Sequence, residues 1–220
     1  MDQARTLREL MGTTRSDWNF EHVTVTLSGT RIGIGVQTLA SWFEFFIRTN
    51  RLIPHVYRTA PARRERDLEV GHSILIKALD PKEPYESYGV DDFHILVLST
   101  ERTSLRIAYE YFRKLRDMRG VKRVGIIVNQ VTDLEMIPVL LNRLCEFLQH
   151  SDGLEDVRLD YLGHCPLDAK IPTFAFSEDH LVQSKSELTS FRCLEMLGKR
   201  LVGWCFESRL NKTQEEEVTL

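Results

Sequence analysis

Two stretches of the chain, residues 93–98 (FHILVL) and 124–128 (VGIIV), are apolar almost without a break. A strand with one wet face alternates polar and apolar side chains, so unbroken apolar strands must be buried on both faces. Strands of that kind sit inside parallel sheets, with helices covering each side. Further strands follow from β-branched and apolar runs at 22–27 (Val23, Thr24, Val25, Thr26), 73–78 and 157–162, the last ending at Gly163. A short strand at 52–57 is confined to an edge or bulge by Pro54. Between them, apolar residues recur at helical spacing. They do so over 38–48 (Leu39, Trp42, Phe43, Phe46, Ile47) and 103–116 (Leu105, Ala108, Tyr109, Phe112, Leu115). Residues 133–149 (Leu134, Ile137, Leu140, Leu141, Leu144, Phe147, Leu148) and 187–206 (Leu188, Phe191, Leu194, Leu197, Leu201, Trp204) repeat the pattern. Alternating strands and helices predict a three-layer α/β fold, a mostly parallel sheet with helices on both faces.

The first strand runs into a Gly-rich segment, Ser28–Thr38, reading SGTRIGIGVQT, and then into a helix. Strand, Gly-rich loop and helix is the layout in which backbone N–H groups and a helix N-terminus cradle phosphate. Gly29, Gly33, Gly35 and Thr38 are therefore candidate nucleotide-binding positions. A working loop of this kind reads GxxxxGK(S/T), with lysine on the β- and γ-phosphates and a hydroxyl on Mg²⁺. Here Val36 follows the last glycine and Gln37 follows Val36. Arg31 brings charge from the wrong side of the glycines, and the Thr38 hydroxyl falls one residue late. The simplest reading is a strand-to-helix turn retained without ligand; weak binding of a phosphate or nucleotide is the alternative.

Composition narrows the class by exclusion. At 220 residues the chain can bury one core, and one domain is expected. A net charge of −3 asks for neither nucleic acid nor an anionic membrane as partner. No apolar run approaches the ~18 residues of a membrane span. The first residues lack the apolar centre of a secretory signal, so a cytoplasmic location is expected. The four cysteines, Cys145, Cys165, Cys193 and Cys205, form no CxxC pair and read as free thiols. No metal site is expected, and His94 reads as a hydrogen-bonded strand histidine.

Several segments together resemble the MinD/ParA class of deviant-Walker ATPases. The loop at 28–38 is one. Residues 93–104 (FHILVLSTERTS) are another: in that class a buried strand leads to a TTPEPTS turn, matched here by Thr100, Glu101, Thr103 and Ser104. Residues 124–129 (VGIIVN) resemble the strand whose terminal asparagine, here Asn129, faces adenine. Residues 161–168 (YLGHCPLD) resemble an LGxIPxD segment ending at Asp168. The resemblance spans roughly 22–206 and is stronger in its second half. Against it stand three departures. Both signature lysines are missing; Lys77 occupies the place of an Mg²⁺-holding aspartate; and the stretch 51–71 is short and lacks the DxD pair. Without those groups nothing positions or neutralises a transferring phosphoryl group. The expectation is a pseudo-ATPase with no cofactor, ATP with Mg²⁺ being the alternative.

One subgroup of that class begins with a DQAxxLR motif, and this chain begins Met1, then Asp2-Gln3-Ala4-Arg5-Thr6-Leu7-Arg8. The subgroup is the FlhG (FleN, YlxH) family, whose N-terminal helix binds the SRP-type GTPase FlhF and stimulates GTP hydrolysis. Ala4, Leu7 and Leu10 give an apolar stripe for a groove, with Asp2, Gln3 and Arg8 as polar contacts. A helix that merely covers its own domain would show the same stripe. Residues 211–217 (NKTQEEE) are acidic and lack an apolar face, so anionic lipid would repel them and membrane association is not expected. The expected organisation is a partner-binding helix and linker at 1–14, an α/β domain at 15–210 and an acidic tail at 211–220. The expected partner is an FlhF-like GTPase, with flagellar basal-body or transcription-regulator proteins as alternatives.

Overall fold

The computed structural model describes residues 22–49, 55–58, 73–79, 93–117, 121–167 and 191–218. The segment 1–14 lies outside them. Six strands form one sheet: β1 (His22–Gly29), β2 (His55–Arg58), β3 (Ser73–Leu79), β4 (Phe93–Leu98), β5 (Arg123–Val131) and β6 (Arg158–Pro166). Four helices accompany them: α1 (Val36–Thr49), α2 (Arg102–Arg116), α3 (Met136–Gln149) and α4 (Phe191–Val218). The spatial order is β2-β3-β1-β4-β5-β6, and every neighbouring pair is parallel. This is the α/β architecture expected from the alternation of elements.

The unbroken apolar runs are explained by two separate cores. On one face, Val25, Leu27, Ile74, Ile76, Ile95, Val97 and Ile127 pack with α1 and α4. On the other, Leu96, Leu98, Val124, Ile126 and Val128 pack with α2 and α3. Successive strand residues point to opposite faces, so Ile95 and Val97 serve one core while Leu96 and Leu98 serve the other. A polar residue at any of these positions would be stranded in one core or the other. Trp42 anchors α1 to α4: it is buried, its Nε1 donates to the Leu194 carbonyl at 2.8 Å, and Phe191 meets it edge-on. The two helices approach so closely that a Cβ on Gly198 would lie 2.6 Å from the Phe46 ring.

Several element ends depart from the sequence pattern, three of them for reasons visible in the local contacts or composition. Helix α3 starts at Met136 rather than 133, because Asp133 Oδ1 accepts the Glu135 N–H at 2.9 Å and spends those residues on a turn. Leu134, expected in the core, is consequently 59% exposed. Strand β6 does not stop at Gly163 but continues to Pro166 through a bulge: Tyr161 faces Ile126 while Gly163 faces Ile127, leaving Leu162 as the extra residue. Helix α4 runs past 206 and through 211–218, residues expected as a flexible acidic tail. Glutamate, glutamine and lysine favour helix, and extending a helix already nucleated costs little. No helix among the described residues is long and apolar enough to cross a membrane.

Asp160 joins β5, β6 and α4. Its Oδ2 accepts from Arg123 Nε at 2.8 Å and Trp204 Nε1 at 2.9 Å, and Arg158 Nε lies 3.1 Å from Oδ1. Burial alone raises the pKa of this carboxyl, but the hydrogen bonds from Arg123 and Trp204 and the two guanidinium charges outweigh it and hold it below the ordinary 3.8. A carboxyl with a folded pKa below its unfolded value stabilises fully above the unfolded value and loses that contribution as pH falls through the folded one. Wild-type protein is therefore expected to lose more stability between pH 6 and pH 3 than the Asp160→Asn variant. Urea midpoints at the two pH values measure the difference; parallel losses would remove Asp160 from the acid response.

Candidate functional site

Strands β1 and β4 are neighbours, yet the helices that follow them leave in opposite directions, α1 onto one face and α2 onto the other. Two adjacent carboxyl ends whose connections diverge leave a crevice between them, the place where open α/β sheets bind ligands. The Gly-rich loop after β1 and the turn after β4 form its two lips.

The floor of the loop is filled with hydrocarbon. Ile34 is 0% and Val36 8% exposed, and both belong to the core beneath α1. A Cβ at Gly29 would lie 2.7 Å from Val36 Cγ2 and 2.8 Å from Ile34 Cγ2, so glycine at 29 serves the packing of those two side chains. The position where a working loop carries its phosphate-binding lysine thus holds a buried valine. Gln37, where a Mg²⁺-binding hydroxyl would stand, reaches β3 instead, its Nε2 donating to the Ala78 carbonyl at 3.3 Å. Thr38 is half-buried in the first turn of α1. Lys77 lies on β3 directly opposite Thr26 of β1, one residue before that Ala78 carbonyl.

The lips are tied together. The Thr30 N–H donates to the Val97 carbonyl at 3.1 Å, and the Thr30 and Ser104 hydroxyls share a hydrogen bond. Ser104 Oγ also accepts the Ser99 N–H at 2.9 Å. Across the mouth, Arg31 Nη2 lies 3.3 Å from Glu101 Oε1. Exposed pairs of this kind contribute little energy on their own. This one acts together with a second contact of the same guanidinium, which donates to Gln130 Oε1 at 2.6 Å.

From the end of β5, two carboxamides close over the loop. Asn129 Nδ2 donates to the Ile34 carbonyl at 2.7 Å, and Gln130 Nε2 donates to the Gly33 carbonyl at 2.7 Å. Gly33 (φ +77°) and Gly35 (φ +88°) take the left-handed backbone that side-chain-bearing residues avoid. A Cβ at Gly35 would also lie 2.6 Å from Asn129 Nδ2. Of the sequence-derived positions, the structure brings Asn129 of β5 against Gly35 and the Ile34 carbonyl, and sets Gly29 under Ile34 and Val36, while Thr38 lies in the first turn of α1. Asn129, placed opposite adenine by resemblance, here holds a loop carbonyl. Gln130, Glu101 and Ser104 join them. Gln130 was legible only as one of two carboxamides ending an apolar strand, where polar side chains need partners. Asp168 and the N-terminal set Asp2, Gln3, Ala4, Leu7 and Arg8 lie outside the described residues.

Elsewhere, no three of His, Cys, Asp or Glu converge among the described residues. The four cysteines are free thiols. Burial, reinforced by Cys193, pushes the Cys165 thiol up to about 12, so it stays protonated at neutral pH.

The fold is a MinD-like α/β architecture, and the Gly-rich loop that follows β1 contains no lysine. The fold is similar to that of the MinD cell division protein of Aquifex aeolicus, with TM-score 0.55, 12% identity, and 82% of this chain and 97% of that one covered. It is also similar to a plasmid partition protein of Borrelia burgdorferi solved bound to AMPPNP, with TM-score 0.52, 9% identity, and 83% and 99% covered. The MinC:MinD complex of Aquifex aeolicus matches with TM-score 0.51, 13% identity, and 82% and 96% covered. At these identities the likeness is one of fold. No family model matches the sequence, and no curated protein does either.

Proposed function

We propose that this chain is a non-catalytic relative of MinD-type proteins that acts by binding another protein. The observation that carries the reading is Val36: at the lysine position of a phosphate loop it is packed with Ile34 into the core under α1. A loop whose floor is hydrocarbon offers a phosphate no cation from below, and the nearby cation, Arg31, faces Glu101 and Gln130. Phosphoryl transfer depends on positioned cations and metal, so this arrangement favours binding over hydrolysis. One fold neighbour was solved in complex with a second protein, MinC, which supports a protein-binding use of the architecture. The partner we assign is an FlhF-type SRP GTPase, engaged by the DQAxxLR segment Asp2–Arg8, whose apolar stripe suits a groove on that partner. The globular domain then serves as an ATP-independent scaffold in flagellar number and placement.

The test mixes the purified full chain with an FlhF-type GTPase and follows GTP turnover. The full chain is expected to raise turnover severalfold, and a chain lacking residues 1–11 is expected to leave it at the GTPase's own rate. Equal turnover with both proteins would end the activator reading. A parallel titration with fluorescent ATP and Mg²⁺ is expected to show no saturable binding in the micromolar range.

A further inference from the structure

One side chain holds both residues that flank the tip of the loop. Gln130 Oε1 accepts from Arg31 and Gln130 Nε2 donates to the Gly33 carbonyl, so a single carboxamide staples the chain on either side of Ile32. Ile32 itself is 61% exposed at the apex, while Ile34 two residues on is fully buried. The staple is reinforced next door by Asn129 on the Ile34 carbonyl and across the crevice by Glu101 on Arg31. Gln130 reaches this position at a cost. Its φ is +57°, the only positive φ at a non-glycine among the described residues, and it sits where the pairing of β5 with β6 slips between Val128 and Val131. Strain of this sort persists only where surrounding contacts over-determine it, and it gathers at sites whose geometry matters. The bulge aims the Gln130 side chain back over the loop, and the contacts it makes there offset the strain.

We propose that Gln130, with Asn129 beside it, is an internal ligand of the Gly-rich loop. The two carboxamides fix its closed shape without phosphate and present Ile32 outward in one conformation whether or not nucleotide is present. The chemistry is that of amide donors on loop carbonyls. A phosphate loop offers N–H groups to an anion, whereas this loop turns the Gly33 and Ile34 carbonyls toward N–H donors supplied by its own chain. The inference rests on the non-catalytic reading above, but its test separates the two.

Hydrogen exchange over residues 30–35 is measured on the full chain, alone and with millimolar ATP and Mg²⁺. The same measurement is made on Gln130→Ala, which keeps the left-handed backbone demand and removes the staple, and on Gln130→Glu, which can still accept from Arg31 but cannot donate to Gly33. Thermal melts check that each variant is folded. Exchange in the loop is expected to rise roughly 10-fold or more in Gln130→Ala and by a smaller factor in Gln130→Glu, with strand β4 unchanged and ATP without effect on the wild type. Wild-type exchange in Gln130→Ala overturns the internal-ligand proposal while leaving the non-catalytic reading standing. Protection of the wild-type loop by ATP overturns the nucleotide-independence of both. If the substitutions unfold the chain, Gln130→Asn, one methylene too short to span both contacts, supplies the same comparison.

Discussion

Replacing Trp42 by alanine is expected to lower the free energy of unfolding by about 3–5 kcal/mol, the usual range for deleting a buried aromatic. Trp42 is 1% exposed, stacks obliquely on Phe45 and Phe46 and meets Phe191 edge-on, so four aromatic residues share one pocket between α1 and α4. Removing the indole leaves a cavity among these rings and removes the hydrogen bond from Trp42 Nε1 to the Leu194 carbonyl that links α1 to α4. Both helices then lose their common anchor, and the loop that begins α1 loses its support. Denaturant unfolding followed by far-ultraviolet circular dichroism measures the loss. A change below about 1 kcal/mol would mean that the α1–α4 seam contributes little to this fold.

The second large effect tests the loop directly. Val36→Lys restores the residue type that a phosphate loop requires at the position where this chain buries a valine. In a working cradle the change would create ATP affinity. Here the new ammonium would have to enter a core beside Ile34 and Gly29 or push the first turn of α1 outward. Burying an unpaired ammonium costs several kcal/mol, so stability is expected to fall by about 2–4 kcal/mol. Binding of ATP and Mg²⁺ by calorimetry is expected to remain undetectable at micromolar concentrations. A variant that stays as stable as the wild type and binds nucleotide would show that the cradle still works apart from one residue.

On the non-catalytic reading proposed above, the Gly-rich loop differs from a working phosphate loop in more than one missing charge. Hydrocarbon fills its floor, Arg31 and Glu101 bridge its mouth, and Asn129 and Gln130 hold its carbonyls. These contacts come from three separate places, Val36 at the start of α1, Glu101 in the turn after β4 and the two carboxamides at the end of β5, and together they hold the loop in a chain that contributes no lysine to it.

How much of this could be read beforehand follows from where each signal resides. The two-sided burial of β4 and β5 is written into consecutive residues, because any polar break in Ile95–Leu98 or Val124–Val128 would fall into one of the two cores; the parallel sheet with helices on both faces was accordingly legible. The glycines of the loop and the absence of lysine were legible for the same local reason. Element ends were not, since α3 starts where the Asp133 side chain releases the backbone and β6 continues where a bulge allows it. The closure of the loop was not legible either. Gln130 lies 97 residues from Gly33 and 99 from Arg31, and Glu101 reaches Arg31 from the far lip of the crevice. By itself the sequence determined that a Gly-rich loop without lysine would sit between a strand and a helix of an α/β sheet. Only the tertiary structure decided that the loop is closed by its own chain, because strand order, a bulge and one positive φ at Gln130 bring those distant carboxamides over it.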